Sequence, residues 1–460
     1  MAHPNRPSRA AAKNPAKHPK SQAKTLPKNL PKNLKKLVRA RMERTGESYT
    51  TARKAILDGR PEPKSAQHAA ARQQGAAPAG EPAPEELPEY PAPQNVRQYD
   101  AALWHRILTQ SGVKDPLSGE PLSEAMLAGL AGGIGFMLHS FVDADTVNLA
   151  LVTRAHPEPF TATLLERCGA KVRIRTTGNQ QAAAANLDAA LEAGRAIAVR
   201  VTRAALPWVA TGSVDAEDTI DVAVLGELDG MLLVDDGSGE LQQISDSDLA
   251  AARARHKRDR NFSAWVPSRR GPRPAALAAN VREAIAQTTG RMLGTTELPG
   301  LPQHYARNFG VSGMRRWAER LADTTGDTGW ATMLAEPALY DSALEQLHGF
   351  FADSRFAAAD GLRGLYAQFL QEASAMPGLG ALAQSVSAYT QLAADWEDFT
   401  AALLAPGDGP APAQRFTALA GQLAALADAE QAAAMQLDGI RTSLPGTGTG
   451  RAQPVATQRP

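Results

Sequence analysis

The chain is 460 residues long, with 43% hydrophobic and 5% aromatic residues, which allows two or three globular domains. Its single cysteine, Cys168, excludes an internal disulfide framework or a cysteine-based metal cluster. The formal charge of +1 hides a division: residues 1–60 hold 16 Lys/Arg against 3 Asp/Glu, and the remainder holds 33 against 45, an asymmetry that points to a polyanion partner or a self-docking arm.

Residues 1–32, rich in Pro, Lys and Ala, cannot bury a core and are expected to be a disordered basic tail. Residues 33–57 carry apolar positions at helical spacing on both sides of "RTGES" and read as a short basic helical hairpin. Lys35, Lys36, Arg39, Arg41 and Arg44 are its candidate nucleic-acid contacts, and a solvated docking element is the plainer reading. Residues 58–95 are Pro/Ala/Gly/Glu-rich and aperiodic, as expected of a linker. The basic N-terminus has no apolar core of the length a secretory signal needs, and the apolar run Met126–Val142 is too short and too interrupted for a membrane span. The expectation is a soluble, cytoplasmic protein.

The first globular domain is expected over 96–267. "YDAALWHRILTQSG" reads as a helix ending at Gly112. "LSEAMLAGLAGGIGF" reads as a helix started by Ser123 and Glu124 and ended in a close-packed turn made by Gly129, Gly132, Gly133 and Gly135. That glycine run lacks the lysine of a phosphate loop and the strand–GxGxxG–helix context of a dinucleotide loop. A strand at 146–154, a helix stopped by Gly169, a strand at 171–177, a helix capped by Gly194 and a strand "RAIAVRVT" follow. "IDVAVLGELDGMLLVDD" reads as a hairpin. A capped helix and a closing strand complete an α+β pattern. Residues 275–440 repeat apolar positions at helical spacing almost throughout and read as an all-α domain, and 441–460 as a disordered tail.

Few residues read as chemistry. Cys168 ends a helix, where the dipole disfavours a thiolate, and reads as a packed, inert thiol. The nine histidines form no metal-ligand spacing; His105 and His256 read as structural or solvated, and no metal or cofactor is expected. Asp235 and Asp236 stand at a strand end before "GSG", where a turn role competes with a catalytic one.

"EPLSEAMLAGLAGGIGF", "GRAIAVRVTRAALPW", "DVAVLGELDGMLLVDD", "FGVSGMRRWAERL", "GLRGLYAQFLQEAS" and "AADWEDF" together resemble the butirosin biosynthesis protein H type, over about residues 96–440. The resemblance implies a papain-like, cysteine-peptidase-like domain followed by a helical domain of unknown function, and a role in secondary metabolism. It further implies transfer of an aminoacyl chain from an acyl carrier protein to an amine. In that family a Cys opens the first helix, a His opens the hairpin strand, and an Asp lies on the next strand. Here Tyr99 or Asp100 stands at the Cys position and Ile220 or Asp221 at the His position, while Asp235 keeps the third. The glycines are expected beside the cleft. The first expectation is a catalytically degenerate relative that binds a small molecule, a peptide or a carrier protein. An acyltransferase working without a nucleophile, and a nucleic-acid-associated protein acting through its basic arm, are the alternatives.

Overall fold

The computed structural model describes residues 87–143, 146–156, 160–209, 218–255, 259–298, 301–405 and 412–445. The basic tail, the helical hairpin with Lys35, Lys36, Arg39, Arg41 and Arg44, and most of the linker lie outside the described residues.

The first part mixes helices and strands in the order α1 Tyr99–Gln110, α2 Glu124–Leu130, β1 Ile134–Asp143, β2 Thr146–Arg154, α3 Phe160–Arg167, β3 Arg173–Arg175, α4 Gln180–Glu192, β4 Ile197–Thr202, β5 Thr219–Leu228, β6 Met231–Asp235, β7 Leu241–Ile244, α5 Asp246–Arg255 and β8 Ser263–Trp265. The second part is helical: α6 Pro274–Met292, α7 Gly310–Ala322, α8 Trp330–Met333, α9 Pro337–Ala352, α10 Arg363–Ser374, α11 Ala383–Leu404 and α12 Pro412–Ser443.

Six strands form one antiparallel sheet in the order β3-β8-β4-β5-β6-β7. The β5–β6 hairpin turns on two residues, Asp229 (φ 53°) and Gly230 (φ 85°), between the paired Leu228 and Met231. Two successive positive φ angles match the right-handed twist of the strands, which explains the Asp-Gly pair. The strands alternate large and small residues across the sheet. Ile197, Val199, Val201, Val222 and Val224 pack on one face. On the other, Ala264, Ala198 and Ala223 lie side by side across β8, β4 and β5, in one cluster with Trp104 and Leu108 of α1. Alanines there leave room for α1, whose Trp104 is fully buried.

Strand β1 is absent from the sequence reading. Its first five residues are buried on both faces, so the alternation that marks a half-exposed strand is missing. Gly132 (φ 110°) and Gly133 (φ 63°) release the chain from α2 into β1, which pairs with β2 as a separate two-stranded sheet.

The glycine run faces the helical part. A Cβ on Gly129 would fall inside the Phe369 ring of α10, and one on Gly133 would meet Tyr366. Thr288 of α6 donates to the Gly132 carbonyl at 2.6 Å. Fully buried Arg363, at the start of α10, pairs with Glu430 of α12 and donates to the carbonyls of Gly135 and Thr153. Trp396 of α11 donates to the same Glu430 carboxylate at 2.7 Å. One buried ion pair therefore joins the glycine strand to three helices.

Candidate functional site

An open cleft of about 640 Å³ lies between the N-terminal end of α1, the end of β2, α3 and the β3–β4–β5 side of the sheet, with Arg355 and Phe356 on its rim. Helix α1 begins there for local reasons. The Gln98 side chain accepts from the Ala101 amide at 2.7 Å. The Glu124 carboxylate accepts from the Arg97 and Gln98 amides at 2.9 and 2.6 Å. Amides at a helix start have no partner within the helix and attract negative charge. Burial nonetheless raises the Glu124 pKa, with those two amides opposing it.

The fold brings the two sequence-predicted positions together across this cleft. The Tyr99 hydroxyl donates to the backbone carbonyl of Asp221 at 2.8 Å. Burial first, then the nearby Asp100, pushes the Tyr99 phenol well above its ordinary value, so it stays protonated as a donor. Asp221 faces Arg200 in the β4–β5 register and accepts two bonds from its guanidinium, at 2.8 and 3.0 Å. The remaining Arg200 nitrogen reaches Asp259 at 2.9 Å, and the guanidinium lies 4.5 Å from the Phe262 ring centre. Burial raises the Asp221 pKa, and Arg200 pulls against it. Ile220 is buried beside it. Asp100 points to neutral partners, Gln98 and Thr161, each at 3.4 Å.

Asp235 does not reach the cleft. It is fully buried, takes two bonds from Arg106 of α1 at 2.6 and 3.1 Å, one from the Tyr90 hydroxyl at 2.6 Å and one from the Gly237 amide at 2.9 Å. It locks α1 to the sheet and starts the following turn. Tyr90 belongs to the end of the segment read as a linker, and this bond seats it. Asp236 accepts from the Trp208 indole and the Ser238 amide. The four glycines do not themselves line the cleft: Gly129, Gly132 and Gly133 pack toward Phe369, Arg291 and Tyr366, and Gly135 against the carbonyl of the cleft residue Arg154. Gly129 is the one glycine on α2, and it is where that helix meets α10.

Cys168 is completely buried, and its thiol is pushed up to about 11 by burial. His105 bonds the Leu122 carbonyl at 2.7 Å, and His256 lies outside the described residues. Among the described residues no group of three or more His, Cys, Asp or Glu is placed to hold a metal ion, and no helix is long and apolar enough to cross a membrane.

Sequence reasoning missed Arg200 and Arg154. Arg200 is the one charge inside "IAVRVT", and a lone arginine in an apolar strand marks a paired or functional position. Arg154 gives its Nε to the Arg355 carbonyl at 2.5 Å and Nη1 to the Ala155 carbonyl at 3.4 Å, and lies over Phe160 at 5.3 Å. Burial lowers its pKa.

The fold and the cleft define a mixed α+β domain with a polar cleft, followed by a helical C-terminal region. Residues 105–236 match the family described as Butirosin biosynthesis protein H, N-terminal, and residues 357–437 match Domain of unknown function (DUF4872). Over those residues the chain is similar to the butirosin biosynthesis protein H family, with a C-terminal domain of unknown function. No curated protein matches the chain.

Proposed function

We propose that this protein is a catalytically degenerate relative of the acyl-carrier-dependent aminoacyl transferases, on a papain-like scaffold, and that it binds a small molecule or peptide in the cleft between α1 and β5. The name of the matched family supports a biosynthetic, acyltransferase-like ancestry. Helix α1 laid on an antiparallel sheet that carries the hairpin supports the papain-like assignment. The observation that carries the reading is the Tyr99–Asp221–Arg200 chain. It ties together the two elements that would present a thiolate and an imidazole, and fills them with a neutral phenol and a paired carboxylate. Neither is an activated nucleophile. Cleft and packing persist without the chemistry, because fold and activity are separable.

Ligand recognition then falls to Arg154. Among the described residues its guanidinium bonds only carbonyls, with Asp100 and Asp353 near but not bonded to it, which leaves donors for a ligand carboxylate or carbonyl oxygen. The test uses the full chain with an acyl thioester of N-acetylcysteamine. Intact mass should show no acylated protein, no amine should be acylated, and calorimetry should show saturable binding that Arg154→Ala weakens about tenfold. Acyl transfer by the wild type that survives Cys168→Ala would overturn the degenerate reading in favour of an acyltransferase without a protein nucleophile.

The basic residues 1–60 support a second contact, with a polyanion such as nucleic acid, since 16 Lys/Arg against 3 Asp/Glu supply a strong sequence-independent attraction to phosphates.

A further inference from the structure

A second, smaller hollow lies away from the cleft, between β1, the 3₁₀ turn Gln303–Asn308 and α7. It holds about 150 Å³ and is lined by His139, His304, Arg307, Arg316 and Arg320, with no Asp or Glu in its wall. It adjoins a groove of about 690 Å³ along α7 that shares the same three arginines.

The arginines are not equivalent. Arg320 is held in place by neutral groups: Nη1 donates to the Ser140 carbonyl and hydroxyl at 3.1 and 2.7 Å, Nε to the Thr328 carbonyl at 2.8 Å, and Nη2 to the Met333 sulfur at 3.4 Å. These bonds aim the cation without neutralising it. Arg316 is half-buried and Arg307 exposed. Burial, and then Arg307, lowers the Arg316 pKa, with Glu319 opposing. Burial, and then Arg316, lowers that of Arg320. Two neighbouring charges are committed elsewhere, while exposed Glu319 lies in the adjoining groove near Arg316. The Asp323 carboxylate accepts the Thr325 and Gly326 amides at 3.1 and 2.8 Å, and Arg315 pairs with Asp428 at 2.6 Å. Tyr305, in the wall of the hollow, is 39% accessible, and Phe141, 44% accessible, sets its ring against His139 at 5.3 Å.

We propose that this hollow binds a phosphate monoester group, with Arg316 and Arg307 closing on it and Arg320 fixed at its base. Three guanidinium groups offer more donors than a carboxylate can accept, whereas a phosphate dianion has three terminal oxygens and the charge to offset mutually repelling cations. The exposed aromatics suit a small organic portion better than bulk solvent.

The test titrates the full chain with glycerol 3-phosphate, inorganic phosphate and acetate by calorimetry. Saturable binding of the phosphates, little of acetate, a loss of at least about tenfold in Arg307→Ala/Arg316→Ala and little change in Arg315→Ala are expected. Tighter binding of the ester than of inorganic phosphate assigns an organic ligand; the reverse assigns free phosphate. Absence of saturable phosphate binding, or affinity unchanged in the double variant with its circular dichroism intact, would overturn the site. The cleft thioester experiment is independent, because Arg154 takes no part here.

Discussion

Arg200 and Asp221 stand directly opposite one another on β4 and β5, joined by two N–H···O bonds at the point where the cleft meets the sheet. Asp221 is buried and Arg200 partly exposed, so the carboxylate has the more to lose. Arg200→Met should destabilise the protein by about 3 kcal/mol, because it leaves the buried Asp221 carboxylate without a cation; pairing it with Asp221→Ala should recover most of the loss. Denaturant unfolding of the single and double variants measures the coupling. Additive losses would mean that the pair contributes nothing as a pair.

Gly129 should tolerate no side chain while Phe369 keeps its place, since a methyl group would enter that ring. Gly129→Ala is expected to lower the melting temperature, with a cost of about 1–3 kcal/mol. Phe369→Leu in the same chain should restore part of it by making room. A Gly129→Ala variant as stable as the wild type would show that α2 and α10 do not meet this closely.

Cys168 should resist thiol reagents at pH 8 in the native protein and react at once when it is unfolded. Its folded pKa, about 11 against an ordinary 9.0, sets the sign of the pH effect. The protonated thiol is shared by both states below pH 9. Above that the unfolded chain ionises first, so stability falls as pH rises toward 11. Over that window the wild type should lose on the order of 2 kcal/mol relative to Cys168→Ala. Rapid native labelling at pH 8 would contradict the buried placement.

His156 works in the opposite direction of pH. Burial first, then Arg154 and Arg291, lowers it to about 4, and it stacks on Phe309 with an 8° interplanar angle. Above the ordinary value of 6.5 the ring is neutral in both states. As pH falls from there toward 4, only the unfolded chain takes the proton, and stability is lost, on the order of 2 kcal/mol. His156→Gln should flatten this part of the acid-stability curve; an unchanged slope would rule out the buried neutral imidazole.

Binding of the full chain to DNA or RNA should fall steeply between 50 and 200 mM salt, over the range in which phosphate contacts lose about 10³-fold in affinity or more, and vanish when residues 1–60 are removed. Fluorescence anisotropy with a labelled oligonucleotide reads both effects. Salt-insensitive binding would remove the polyanion role.

Much of the secondary structure was legible because it rests on local physics. Gly112, Gly169 and Gly194 all have positive φ at the helix ends where the sequence placed them. Asp229–Gly230 turns the hairpin, and the C-terminal region is helical at the spacing its apolar residues follow. Strand β1 was hidden because burial on both faces erases its alternation. The cleft was half legible: the pattern of a known family marked Tyr99 and Asp221, but nothing local says that one donates to the other.

By itself, the sequence determined the mixed and helical character of the two parts, the charge division at residue 60, and the lack of a Cys and a His at the two marked positions. Periodicity, turn chemistry and composition act over a few residues and survive without a partner. Tertiary structure alone decided that Asp235 is a buried counter-ion for Arg106, that Gly129 and Gly133 meet α10, and that Arg307, Arg316 and Arg320 gather around one hollow. Those outcomes depend on which distant groups are desolvated together. A carboxylate taken out of water needs a cation, and crowded cations attract an anion, but neither condition exists until the chain has folded.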